Sequence, residues 1–170
     1  MKQEYYINLK ENWYWIGPII GGFLATMSSF AKERVEEWIL ERRFKKNILS
    51  MIVEKFSSII NAWEDIDAEN IKLTIKDMLP IISKLENDFS SLSVKYASKH
   101  YKFITKTHDE LKFLNNFLTS ESISDEQVKE YLQKTKSVTL KNSSAYNNNA
   151  IYRRLNESYI FFYTSIHAFK

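Results

Sequence analysis

Residues 12–31 form an uninterrupted run of twenty residues without a charged side chain. Because a helix rises about 1.5 Å per residue, this run would be about 30 Å long, which matches the hydrocarbon core of a bilayer. Trp13, Tyr14 and Trp15 stand at its start, and aromatic rings of this kind are enriched at the level of lipid headgroups. The run predicts a single transmembrane helix, with a buried or amphipathic helix of a soluble protein as the alternative.

Basic residues on the two sides of this run predict its orientation. Lys2 and Lys10 precede it, and a larger basic group follows it: Lys32, Arg34, Arg42, Arg43, Lys45 and Lys46. Lys and Arg are in excess on the cytoplasmic side of membrane helices. We therefore expect a membrane-spanning segment over residues 1–31 and a cytoplasmic domain over residues 32–170. The last four basic residues of the group would contact anionic lipid next to the membrane.

Small residues recur at every fourth position of the uncharged run, as Gly17, Gly21, Ala25 and Ser29. At helical pitch they lie along one face, where a second helix backbone can approach closely. Thr26 and Ser28 add hydroxyl groups that are costly against lipid and that an oligomer could turn toward a neighbour or toward water. The pattern predicts that the chain associates with itself, with a ring around a lumen as one arrangement.

The rest of the chain predicts an all-α fold. Only three Gly and two Pro occur in the sequence, and apolar residues after Glu33 recur at spacings of three and four. The membrane helix is expected to continue into an antiparallel helical bundle. Pro80 predicts the first turn of a helix that runs to about Thr119 with a bend near residues 90–93, since a proline costs little at that position.

The C-terminal third contains a short helix, a polar loop and a final helix. Ser124 and Gln127 match a capping box. Residues 137–149 are rich in Asn and Ser and predict a loop. The final helix carries one apolar face, made of Ile151, Leu155, Tyr159, Phe162, Ile166 and Phe169.

The residue types exclude several kinds of chemistry. The chain contains no Cys, which excludes disulfides and thiolate sites, and its three His are scattered. His100 lies on an apolar stripe and is expected to be a core residue, His108 stands in a polar stretch with Asp109 and Glu110, and His167 lies near a helix C-terminus. The sequence therefore predicts no metal site and no cofactor.

Arginine is scarce, at five residues against nineteen Lys, so the pair Arg153 and Arg154 is informative. The pair opens the final helix, where positive charge opposes the helix dipole. At about 100° per residue, Arg154 and Ser158 flank the apolar face, whereas Arg153 and Glu157 face away. Arg154 is the better candidate for a cleft. The alternative is a surface ion pair between Arg153 and Glu157, with Arg154 solvated.

These features together resemble a known family. An all-helical bundle, an Asn-rich loop and an arginine at the start of the last helix resemble the HEPN fold, whose RNases carry an R-x(4–6)-H motif at such a helix start. With the N-terminal segment, the chain resembles the small Csx-type accessory proteins encoded beside the RNA-guided RNase of type VI-B CRISPR systems. The resemblance places a degenerate site at Asn149, Arg153, Arg154, Asn156 and Ser158, with Ser158 or a neighbouring residue at the position expected for His.

The resemblance implies a homo-oligomeric, pore-forming protein of the bacterial inner membrane that strengthens antiviral defence by permeabilising that membrane. RNA or the partner RNase would supply the activating signal. No His follows an Arg at the required spacing, so RNase activity is not expected to carry over. Two alternatives are open: a degenerate HEPN RNase that uses Arg154 with His100 or His108, and a membrane tether or toxin component without a pore.

Overall fold

The structure, a computed structural model, describes residues 2–92, 94–138 and 149–168, and this part of the chain is helical without a strand. Its elements are α1 (Lys2–Arg43), a π-helical segment (Phe44–Leu49), α2 (Ser50–Glu64), α3 (Ala68–Ser90), α4 (Val94–Leu118), α5 (Asp125–Val138) and α6 (Ala150–Ala168). The chain divides into two compact units, Met1–Phe44 and Lys45–Lys170. The domain boundary predicted from the sequence lies after Ala31. The all-α prediction is confirmed.

The structure does not confirm the membrane span predicted for residues 12–31. Within the described ranges, no helix combines the length and the apolar character needed to cross a membrane. Glycines and hydroxyl residues take up much of the run, and its hydroxyls bond back to the helix: Thr26 Oγ1 lies 2.8 Å from the carbonyl oxygen of Phe23. The side chains of Trp13, Trp15 and Lys45, which the membrane prediction used, lie outside what the structure describes.

A tight connection joins α2 to α3. Ile66 adopts a positive φ of 57°, and its N–H donates to the carbonyl of Trp63 at 3.1 Å. The N–H of Asp67 donates to the carbonyl of Ala62 at 3.1 Å, which completes a Schellman motif at the end of α2. The Asp67 carboxylate then accepts the N–H of Glu69 at 3.1 Å and so caps α3. Three residues therefore end one helix and start the next.

The prediction that Pro80 starts a helix is wrong. α3 passes through Pro80 and ends at Ser90, and α4 begins only at Val94. A proline removes one hydrogen bond from a helix interior, but buried side chains on both sides of it hold α3 in place: Ile71, Ile75, Met78 and Ile82. The break falls where Ser91 Oγ donates to the carbonyl of Asp88 at 2.6 Å, an interaction that competes with the helix.

α2 is central to the bundle, packing against α3 and α6, while α3 packs against α4 and α5 against α6. Phe56 of α2 is fully buried, and its ring centroid lies 4.9 Å from that of Phe162 in an edge-to-face arrangement. Trp63 is also fully buried, and its Nε1–H donates to the carbonyl of Leu132 at 3.2 Å. These contacts join α2 to both C-terminal helices, and the helical bundle is confirmed.

Two local predictions for the C-terminal third are confirmed. Gln127 N–H donates to Ser124 Oγ at 3.3 Å, and Ser124 N–H donates to Gln127 Oε1 at 3.0 Å, which forms the capping box of α5. The apolar face of α6 is buried at Leu155, Tyr159, Phe162 and Ile166. At the ends of this face Ile151 is exposed, and Phe169 lies outside the described residues. Most of the loop predicted for residues 137–149 also falls outside the described part.

Candidate functional site

Asn149 fixes where α6 begins. Its side-chain Oδ1 accepts the N–H of Ile151 at 3.0 Å and that of Tyr152 at 3.4 Å. A capping residue of this kind sets the first turn of the helix. Arg154 therefore follows close behind the cap, at a position from which its side chain reaches α4.

Arg154, Ser158 and Glu110 form a cluster between α4 and α6, hereafter the Glu110 cluster. Arg154 Nη1 donates to Glu110 Oε2 at 2.5 Å, and Ser158 Oγ donates to the same carboxylate oxygen at 2.6 Å. Nη1 also lies 3.2 Å from Ser158 Oγ. Glu110 is only 6% exposed, and Ser158 is fully buried. The cation of Arg154 thus compensates the charge of the buried carboxylate, and the hydroxyl of Ser158 adds a hydrogen bond. A buried charge requires such partners.

An aromatic ring supports the arginine. The guanidinium carbon of Arg154 lies 4.4 Å from the ring centroid of Phe113, one turn after Glu110 on α4. A cation over a ring face gains a further electrostatic attraction. The arginine side chain remains one-third exposed, so it is still accessible to solvent.

An open cleft of 410 Å³ adjoins the Glu110 cluster. The residues that line it are Tyr101, Lys102, Thr105, Lys106, Asp109, Glu110 and Arg154. Two lysines one turn apart on α4 thus share a cleft with the arginine of α6. The volume falls within the range of about 300–1,000 Å³ that small-molecule sites occupy.

The structure brings together only part of the degenerate site predicted from the sequence. Arg154 and Ser158 meet at Glu110, whereas Asn149 serves as the cap of α6 and Asn156 is buried. Arg153 and Glu157, which the alternative interpretation paired on the surface, are both exposed. The prediction that Arg154 lies in a cleft agrees with this geometry.

The Glu110 cluster contains an arginine, a serine and a glutamate, and none of the described histidines belongs to it. Ser158, at the position expected for a catalytic His, is buried with its hydroxyl donated to Glu110. His100 and His108 do not line the cleft: His100 packs against Phe89, and His108 Nδ1 lies 3.7 Å from Glu86. No group of three metal-ligating side chains occurs among the residues described. Arg154 and the two lysines of the cleft can bind an anion, and the Asp109 carboxylate stands in the same lining.

Sequence reasoning missed Glu110. The polar neighbours His108 and Asp109 predict that Glu110 is solvated. In the structure, however, Thr107 and Glu110 are both buried. The signal was present in the spacing, because Glu110 lies three residues after Thr107 and four before Leu114, along the buried side of α4. A charged residue on an apolar face predicts a buried partner, here the arginine of α6.

A second candidate surface lies on α1. Seven large apolar residues share an arc of about 140° when placed at about 100° per residue, and this arc is called the bulky face: Ile16, Ile19, Ile20, Phe23, Leu24, Met27 and Phe30. All of them are exposed, with Phe23 at 64% and Phe30 at 68%. Exposed apolar patches of this extent mark interaction sites.

The opposite side of α1 carries small and hydroxyl residues and is called the small face: Gly17, Pro18, Gly21, Gly22, Ala25, Thr26, Ser28 and Ser29. A Cβ atom added at Gly17, Gly21 or Gly22 would meet nothing within 4 Å. These glycines are therefore not needed to make room within the chain itself. Further along, the predicted membrane-proximal cations Arg42, Arg43 and Lys46 are exposed, and Arg42 lies 5.2 Å from the ring centroid of Trp38.

Comparisons of the chain with protein-family models, with curated proteins and with solved structures gave no match. The functional proposal below therefore rests on the chain's own surfaces and on the resemblance described from its sequence.

Proposed function

We propose that the protein is a non-catalytic accessory protein that assembles with copies of itself through α1 and acts on a membrane. The observation that carries the proposal is the exposure of the bulky face of α1. Burying one large apolar side chain contributes about 1.5–3 kcal/mol. Seven such side chains on one face of a helix therefore strongly favour transfer of that face from water to lipid.

The two faces of α1 suggest how copies would assemble. The small face allows close contact between helix backbones, as small residues do in membrane helix pairs. The bulky face would then point outward, toward lipid. In this arrangement several α1 helices share the burial of Thr26, Ser28 and Ser29, which a single helix would expose to hydrocarbon.

The Glu110 cluster supports a non-catalytic role for the bundle. Its arginine is paired with Glu110, and its serine is buried. The bundle would therefore sense or hold a partner, with RNA or an RNA-guided RNase as the partner that the resemblance implies. On this proposal, the assembly strengthens CRISPR antiviral defence by permeabilising the bacterial inner membrane.

Dye release from lipid vesicles tests the membrane part of the proposal. Vesicles of phosphatidylethanolamine and phosphatidylglycerol are loaded with a self-quenching dye and mixed with the purified full-length chain. We expect release with the wild type, loss of most release with Gly21→Leu, and retention with Ala31→Leu. Ala31 is the matched control because it is also a small residue of α1 but lies on the side of the bulky face, where an added leucine would not separate helices that pack through the small face.

Gly21→Leu places its added side chain in open space within the chain, and Ala31 is exposed, so neither variant should prevent folding. Absence of release by the wild type would contradict action on a membrane. Equal release by Gly21→Leu and the wild type would contradict packing through the small face. Phage plating on cells that carry the RNA-guided RNase, with and without this protein, tests the role in defence: equal plating would refute it.

A further inference from the structure

We propose that the cleft between α4 and α6 binds a mononucleotide, and that Glu110 competes with the nucleotide's phosphate for Arg154. The cleft is formed by residues of the bundle alone, so the proposal does not depend on assembly through α1. It assigns a ligand to a site that the proposed function leaves without one.

The charges of the cleft favour an anion. Lys102 and Lys106 lie one turn apart on α4, and both line the cleft together with Arg154. The opposing carboxylates are Asp109 and Glu110. Since Glu110 is already paired with Arg154, two ammonium groups face one remaining carboxylate. Lys106 is also held over an aromatic ring, with its Nζ 4.9 Å from the ring centroid of Phe161.

The remaining lining favours a ligand with a flat ring. Tyr101 lines the cleft and is 43% exposed, so its ring is available for stacking. Thr105 also lines the cleft, and its hydroxyl oxygen is buried without a hydrogen-bond partner in the described part of the chain. A buried hydroxyl in this state is rare in folded proteins and is satisfied when a ligand supplies the partner. A nucleotide with its base on Tyr101 and its phosphate near the two lysines would use the Tyr101 ring and would supply a partner for the Thr105 hydroxyl.

Arg154 is only partly engaged by the chain. Its Nη1 makes the bonds to Glu110 and Ser158, while its Nη2 and Nε bond to no described residue. A phosphate could occupy this open side of the guanidinium, which is the geometry that arginine offers for bidentate binding. A phosphate on that edge would share the single positive charge of Arg154 with Glu110, which is the competition proposed, while Glu110 would keep the Ser158 hydroxyl at 2.6 Å.

This competition sets the direction of a mutational effect. Glu110→Gln keeps the size of the side chain and an oxygen that can accept from Ser158, but it removes the charge that holds Arg154. Nucleotide binding should therefore become tighter in Glu110→Gln. If the cluster had a purely structural role, removing the charge of Glu110 would not be expected to strengthen the binding of an anion.

Equilibrium dialysis of the full-length chain against labelled ADP tests the proposal. We expect measurable binding by the wild type, binding about tenfold tighter by Glu110→Gln, and binding at least about tenfold weaker by the double variant Lys102→Ala/Lys106→Ala. Lys99→Ala/Lys112→Ala is the matched control, because it removes the same two charges from α4 outside the cleft, and it should bind as the wild type does. Inorganic phosphate should compete with ADP.

Thermal unfolding of each variant is measured beside binding, so that a loss of binding in a folded variant can be assigned to the cleft. Binding of ADP by neither the wild type nor folded Glu110→Gln would overturn the proposal. So would equal affinities in all variants, or failure of phosphate to compete. Binding of a single-stranded RNA oligonucleotide without binding of ADP would also overturn it and assign the cleft to RNA.

Discussion

Two phenylalanines show how differently the two units of this chain use apolar residues. Phe56 of α2 is fully buried and packs against Phe162, whereas Phe23 of α1 is 64% exposed. Both stand in uninterrupted helices with apolar neighbours at helical spacing. The bundle satisfies its apolar residues within one chain, and α1 leaves them available to a partner. Hydrophobic content alone therefore does not distinguish a core helix from an assembly helix.

The largest predicted effect comes from truncating each phenylalanine in turn. Phe56→Ala should lower the free energy of unfolding by about 3–5 kcal/mol, because it leaves a cavity at the centre of the bundle. The matched change Phe23→Ala should alter it by no more than about 0.5 kcal/mol under conditions where the chain is monomeric. Urea unfolding measures both. Similar losses in the two variants would contradict the contrast between the units.

The next effect concerns the buried charge of the bundle. Glu110→Ala should destabilise the protein by about 1–3 kcal/mol, because Ser158 and Arg154 lose their shared acceptor. Asp109→Ala is the control, since the neighbouring Asp109 is exposed. Urea unfolding of the two variants checks the prediction. An equal, small effect at both positions would show that the Glu110 cluster does not stabilise the bundle.

A smaller effect is expected at the start of α5. Ser124→Ala removes half of the capping box and should cost about 1 kcal/mol. Ser122 lies just outside the helix, so Ser122→Ala should have little effect on stability. Thermal unfolding compares the two serines, and no difference between them would mean that the cap does not contribute to bundle stability.

The smallest effect is a pH dependence that belongs to the bundle. Burial, reinforced by the neighbouring Glu64, raises the pKa of Tyr159 above its ordinary value of 10.0. The folded state therefore retains this proton at a pH where the unfolded state has lost it, and the associated stability is present below pH 10 and is lost as pH rises through the folded-state pKa. Between pH 9 and 11 the free energy of unfolding should decline less steeply with rising pH in Tyr159→Phe than in the wild type. An unchanged slope would rule out this contribution.

The sequence predicts the periodic parts of the fold well. The all-α class, the capping box at Ser124 and the buried face of α6 follow from spacing that depends only on local geometry. Pro80 misleads because packing of its neighbours outweighs a local preference for a helix start. Packing also decides whether the bulky face of α1 is buried or exposed, which residue type alone does not determine.

The candidate site is only half predictable for a similar reason. Arg154 stands out as a basic residue at a helix start beside an apolar face. Its partner Glu110 lies forty-four residues earlier on another helix. No local pattern pairs residues across that distance, because the packing of α4 against α6 brings them together.

The mass of the purified full-length chain, measured in detergent by light scattering during size-exclusion chromatography, tests assembly through α1 most directly. Assembly through α1 predicts a homo-oligomer of one discrete size for the wild type and for Ala31→Leu, and a shift toward monomer for Gly21→Leu. A monomeric wild type at all protein concentrations would contradict it.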